Sequence, residues 1–175
     1  MIAKIIKKVF SSSKLKREDN AKEYVSTNEI SGEIQLELLR LEGCIPKSKV
    51  LEVGCGCLHT GLLLIKYLEQ GNYVGIDPNE WLRNEELKKH SVKNIVNEKN
   101  AKFLSVDNFD ASALGFKFDF VLSHSVLSHF AHWQLAQFLE NIKKVLHPDG
   151  LILASIRLSE GNKYGSSGSP DKRDS

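Results

Sequence analysis

Val50-Leu51-Glu52-Val53-Gly54-Cys55-Gly56 is an apolar run interrupted by one carboxylate and closed by two glycines. A strand with so little polar alternation suits a position covered on both faces, as in parallel sheets flanked by helices. Asp77, 23 residues after Gly54, closes a second apolar run, Tyr73-Val74-Gly75-Ile76. Ligands of open parallel sheets bind outside the carboxyl ends of the strands, where the strand order reverses. Two strands carrying a carboxylate to that end therefore predict an α/β fold with a nucleoside site.

The flanking sequence fits the same architecture. Ile30, Ile34, Leu36, Leu38, Leu39 and Leu41 predict a helix from Glu29, closed by Gly43 and Pro46. A helix over about 60–70 stops at Gly71-Asn72, and another begins at Pro78 with Trp81, Leu82 and Leu87. Strands fit 102–106 and 118–123, followed by a long helix within 124–146, a Pro148-Asp149-Gly150 turn and a fifth strand over 151–156. The alternation predicts a doubly wound, mostly parallel sheet in one domain at 29–158. Residues 159–175, rich in glycine and serine, read as a flexible tail.

Composition, at 41% hydrophobic and 26% charged, excludes a disordered or membrane-embedded chain as a whole. The net charge of +2 hides an asymmetry. Lys4, Lys7, Lys8, Lys14, Lys16 and Arg17 put six positive charges and no acid into the first 17 residues, which leaves the remainder at −4. The body is therefore no general nucleic-acid binder by charge. Ile2, Ile5, Ile6 and Val9 share one helical face, so residues 1–28 read as a basic amphipathic helix and linker. Such a helix packs on its own domain, on a partner or peripherally on an anionic membrane surface. No apolar run is long enough for a membrane span, and the N-terminus is a poor signal peptide. Cys44, Cys55 and Cys57 form no even-numbered disulfide set, and we read them as reduced thiols of a cytoplasmic protein.

At the site itself, Gly54 and Gly56 let backbone approach a ligand closely. Asp77 is placed to accept both hydroxyl protons of a ribose, each such bond contributing about 1.5–3 kcal/mol. A dinucleotide fingerprint requires a third glycine where His59 stands, and Glu52 sets negative charge where a pyrophosphate would lie. This disfavours a nicotinamide-dependent oxidoreductase. A carboxylate suits a cationic amino-acid ligand, which shifts the balance to S-adenosylmethionine, with its ammonium and sulfonium.

The chain resembles the class I S-adenosylmethionine-dependent methyltransferases over about residues 29–157. Residues 50–56 are similar to that family's first motif, Gly75-Ile76-Asp77 to its ribose-binding strand end, and Phe103-Leu104-Ser105-Val106-Asp107 to its third strand. Phe118-Asp119-Phe120-Val121-Leu122-Ser123 resembles the fourth strand, and Leu146-His147-Pro148-Asp149-Gly150-Leu151 the turn into the fifth. The resemblance implies a Rossmann-like core and a cofactor-binding set of Glu52, Gly54, Cys55, Gly56, Asp77, Pro78, Asp107 and Ser123. Gly54 and Gly56 would border the methionine part, Asp77 would hold the ribose and Asp107 the adenine amino group. Ser123 and His124 would lie near the transferring methyl. Leu58 departs from the family by standing where many members have a further glycine. The chain also looks as if it lacks the family's last two strands, which implies a truncated member, completion by another chain or an open sheet edge.

Each of these residues also has a structural reading: the glycines as a tight turn, Glu52 as a cap for backbone amides, Asp77 as the N-cap of the next helix, and Asp107 as a turn acid. Cys55-x-Cys57-x-His59 does not have zinc-site spacing, so no metal is expected. His124, at a strand end, is the candidate general base, whereas His129 and His132 read as packing residues. The segment Ser123-His124-Ser125 lacks the Asn/Asp-Pro-Pro-aromatic signature of members that modify nucleic-acid amino groups. The expectation is thus a methyltransferase acting on a small molecule, with a non-catalytic methyltransferase-like binding or scaffold domain as the alternative.

Overall fold

The computed structural model describes residues 32–155, so the basic helix and linker expected at 1–28 and the tail at 159–175 lie outside the described residues. A helix over residues 32–41 (α1) leads to Gly43, whose φ of +96° turns the chain out of the helix. The order then runs β1 (Val50–Val53), α2 (His59–Tyr67), β2 (Tyr73–Ile76), α3 (Glu80–Leu87), α4 (His90–Glu98) and β3 (Lys102–Leu104). After a 3₁₀ turn at Ser112–Leu114 come β4 (Phe118–Ser123), a second 3₁₀ turn at Leu127–His129, α5 (His132–Val145) and β5 (Leu146–Ala154).

All five strands are parallel, in the order β3-β2-β1-β4-β5. The chain enters at the centre, winds outward to β3, and crosses back to lay β4 against the other side of β1. The reversal between β1 and β4 opens a crevice at the carboxyl ends of the strands. This is the doubly wound parallel sheet expected from the alternating pattern.

Strand residues alternate between two cores because successive side chains point to opposite faces. Leu51, Val53, Val74, Ile76 and Val121 join Phe138, Ile142 and Val145 of α5 on one face. Val50, Tyr73, Phe120 and Leu122 join Leu39 of α1, Leu64 and Ile65 of α2, and Val92 and Val96 of α4 on the other. Helix cover on both faces explains why β1 is buried at every position.

Two elements differ from the sequence expectation. The segment between β2 and β3 forms two helices, not one, and no glycine or proline marks the break at Lys88-Lys89. The fifth strand starts at Leu146, directly from α5. Leu146 pairs with Phe118 and Leu151 with Phe120, so His147–Gly150 loop out between two paired residues of one strand. The expected Pro148-Asp149-Gly150 turn is thus an excursion within β5. It returns at Gly150, where a Cβ would come within 2.7 Å of Leu146 Cδ1 and 3.0 Å of the Asp119 carbonyl oxygen.

Phe138 of α5 is fully buried and makes edge-on contacts with Phe109 and Phe130, at ring separations of 5.8 and 6.1 Å. Phe138→Ala is expected to lower unfolding free energy by about 3–5 kcal/mol, through lost burial and the cavity left behind. A urea titration monitored by circular dichroism would check this.

Candidate functional site

The crevice is built around the turn that leaves β1. Its residues take left-handed conformations at alternate positions: Gly54 at φ 83°, Gly56 at φ 43° and Leu58 at φ 63°. Glycine adopts such angles freely. Leucine does so at a cost of about 1–2 kcal/mol. Leu58, however, is buried to within 1% of its surface, and its side chain offsets that cost by filling the core where α2 begins. The departure from glycine at this position therefore leaves the left-handed turn in place.

The turn is pinned to β2. The amides of Gly54 and Cys55 both donate to the carbonyl of Ile76, at 2.8 and 3.2 Å. Asp77 Oδ2 accepts from the Gly56 amide at 2.9 Å and Oδ1 from the Asn79 amide at 2.8 Å. A carboxylate has about four acceptor positions, so two remain for a ligand. Asp77 does not cap α3 in the manner considered from sequence, because the residue at the cap position is Asn79. A Cβ at Gly56 would meet nothing nearer than Asp77 Oδ2 at 4.0 Å, so the space above Gly56 is open. Over Gly54 the space is filled, since a Cβ there would fall 2.2 Å from Val126 Cγ2. Val126 follows Ser125, another residue with positive φ (57°), in the segment that leaves β4.

Glu52 points from β1 to the α2 side and is 5% exposed. Its Oε2 accepts the Tyr73 hydroxyl at 2.5 Å. Burial pushes its carboxyl up to about 8, against the hydrogen bond from Tyr73 and helped by the negative charge of Asp77. Burial, then the nearby Glu52, raises the Tyr73 hydroxyl as well. Cys55 is likewise raised by burial, and then by Glu52 and Asp77, so it stands as a neutral thiol. Arg83 of α3 lies buried nearby, stacked over Phe103 at 4.9 Å, with Nη1 lacking a partner among the described residues.

The remaining expected residues spread around the crevice. Ser123 ends β4, is wholly buried, and its Oγ has no hydrogen-bond partner among the described residues. His124 follows it, half-buried, and burial lowers its imidazole below the usual range, which favours the neutral form. Pro78 is exposed at the start of the β2–α3 connection, and Asp107 is exposed in the loop after β3. His132 begins α5 and His129 lies in the preceding 3₁₀ turn. Both tryptophans of the chain are exposed, Trp81 by 64% near the start of α3 and Trp133 by 66% at the start of α5. Tyr73, Gly61 and Val126 escaped sequence reading, since each matters only through a neighbour brought close by strand register or by the fold of the β4 loop. No group of three His, Cys, Asp or Glu among the described residues is arranged to hold a metal, and no described helix is long and apolar enough to cross a membrane.

The profile of the family described as "Methyltransferase domain" matches residues 51–152. Among solved structures, the PH0226 protein from Pyrococcus horikoshii OT3 is 28% identical, with a TM-score of 0.58 over 78% of this chain and 59% of that one. Magnesium protoporphyrin IX methyltransferase from Synechocystis PCC 6803, with bound SAH, is 18% identical, with a TM-score of 0.55 over 75% of this chain and 58% of that one. Phosphoethanolamine N-methyltransferase 1 of Haemonchus contortus is 16% identical, with a TM-score of 0.59 over 77% of this chain and 27% of its own. The match thus spans less than two thirds of each of these structures.

A raised carboxyl has a definite consequence for stability. Between about pH 4.5 and 8 the folded chain keeps a proton on Glu52 that the unfolded chain has lost, so stability falls as pH rises through that window. Glutamine keeps an acceptor for Tyr73 and does not ionise. Glu52→Gln is therefore expected to raise the melting temperature, relative to the parent, more at pH 8 than at pH 5, in parallel thermal melts.

Proposed function

The chain belongs to the methyltransferase-domain family, and on that premise we propose that it binds S-adenosylmethionine at the turn after β1 and transfers the methyl group to a small-molecule acceptor. The observation that carries this reading is the tie between Asp77 and Gly56, which sets a carboxylate with two spare acceptor positions beside open space above a glycine. Asp77 accepts the two ribose hydroxyls while its other bonds hold the turn in shape. Gly56 leaves room for the ligand backbone, and Cys55, held as a neutral thiol, adds no competing charge. Glu52 lies under the turn, where a bound ammonium draws its buried carboxyl into the charged form and is neutralised by it. Pro78 and Asp107 flank the ribose and adenine ends from the loops after β2 and β3. Ser123, wholly buried at the end of β4 and with no partner for its Oγ among the described residues, lies behind the reacting end.

Bound in this crevice, the cofactor supplies a sulfonium-activated methyl group. The protein's part is to hold the acceptor in line with that group at near-attack distance, where orientation accounts for much of the acceleration. His124 is neutral by virtue of burial and takes a proton from the acceptor at a ring nitrogen as the acceptor attacks. A small acceptor agrees with the negative charge left outside the first 17 residues, which disfavours nucleic acid.

Calorimetric titration with S-adenosylmethionine, S-adenosylhomocysteine and NADH tests the reading. The first two are expected to bind at micromolar concentration and NADH not to bind. Asp77→Ala is expected to weaken binding at least tenfold through the two lost charge-assisted bonds, with circular dichroism as the folding control. A folded chain that binds neither adenosyl ligand would instead support the non-catalytic binding domain.

A further inference from the structure

Tyr73 occupies the first position of β2, and three neighbours leave room for its hydroxyl. Gly61 of α2 faces it so closely that a Cβ there would lie 2.4 Å from Tyr73 Oη and 2.8 Å from Glu52 Oε2. Gly75, across from Glu52 in the sheet register, would place a Cβ 3.0 Å from the same hydroxyl. The third neighbour is Glu52 itself, which accepts the hydroxyl proton. A phenylalanine would supply the same buried ring to the strand at position 73 without the hydroxyl. The two glycines and the carboxyl are arranged around the hydroxyl, not around the ring.

We propose that Tyr73 is a positioning residue for the cofactor: its hydroxyl, housed between Gly61 and Gly75, fixes the Glu52 carboxyl beneath the glycine turn in the state that receives the ligand's ammonium. This rests on the reading that the turn holds an adenosyl amino acid. Among the described residues, the charged and titratable groups that act on the pair come from several elements. β2 presents Tyr73 and Asp77, the turn presents Cys55, α3 presents Arg83, and α2 carries His59 at its first position. Asp77 opposes ionisation of Glu52, and the Tyr73 hydrogen bond favours it. Removal of the hydroxyl leaves burial and Asp77 unopposed, so Glu52 takes its charge at a higher pH. A ligand that needs the charged carboxyl then binds more weakly at neutral pH and regains its affinity in alkali.

The experiment is calorimetric titration of the full chain with S-adenosylhomocysteine, which carries the ammonium, from pH 6.5 to 9.5, for the parent, Tyr73→Phe, Glu52→Gln and the double variant. The ligand's own titration is common to all four and cancels in ratios. Tyr73→Phe is expected to raise Kd about tenfold at pH 7, the effect of one hydrogen bond to a charged group, and progressively less toward pH 9.5. In the Glu52→Gln background the same substitution is expected to change nothing. A tenfold loss that is the same at every pH, or one that persists without Glu52, would overturn the proposal and leave Tyr73 a packing residue. Site-specific 3-fluorotyrosine at position 73, checked for folding by circular dichroism, donates more strongly, so it should move the pH profile the opposite way; an unmoved profile in the folded variant also overturns the proposal. If the parent binds no S-adenosylhomocysteine at any pH, it is the methyltransferase reading that falls, and the two failures are distinct in the parent titration alone.

Discussion

The amides of Gly54, Cys55 and Gly56 all find their acceptors at the end of β2, the first two on the Ile76 carbonyl and the third on Asp77. Backbone amides turned away from a sheet must be satisfied, because each orphaned one costs free energy comparable to a lost hydrogen bond. Here that requirement couples two strand ends into one object. The turn can take its left-handed course at residues 54, 56 and 58 only because β2 delivers acceptors at the right height. The crevice, its carboxylate and its open floor above Gly56 all follow from that coupling. Asp77 is therefore part of the turn's construction as well as a candidate ligand group.

The surroundings of this turn accept costs that the rest of the core avoids. Glu52, Arg83 and Ser123 are polar side chains buried toward the carboxyl ends of the strands, and Tyr73, from the start of β2, reaches Glu52 with its hydroxyl. Arg83 Nη1 and Ser123 Oγ have no partner among the described residues. An unsatisfied buried polar atom costs about 1–3 kcal/mol. The two apolar cores on either face of the sheet offset such costs, with Tyr73, Phe118 and Phe138 the largest of the wholly buried side chains. Residues that weaken the fold in this way gather where function is expected.

Much of this was legible beforehand, and the rest was not for identifiable reasons. The runs at 50–53, 73–76 and 118–123 stand out because two-sided burial removes polar alternation, and their order with the intervening helices leaves few topologies open. Asp77 was visible as the acid that ends a strand. Leu58 was visible as a departure, but its left-handed conformation was not, since the compensating burial is a property of the packed core. The division of α3 from α4 carries no glycine or proline, and the start of β5 is hidden because Leu146 continues the apolar spacing of α5. The pairing of Tyr73 with Glu52 depends on register between neighbouring strands, which no single segment contains. Asp107, expected at the adenine, is an exposed loop residue in this structure, and its sequence position alone could not say how it is held.

Trp81 and Trp133 have an optical consequence. Each stands at the amino end of a helix that follows a strand, and so at the carboxyl edge of the sheet, with most of its indole in water. They are the chain's only tryptophans. Indole emission is therefore already that of a solvated ring in the native state and will shift little when the core melts. Both rings stand on the side of the sheet where the crevice opens, so quenching or a blue shift on adding a ligand would report events on that side. Fluorescence in this protein reads that surface, while the integrity of the fold has to be read from the backbone.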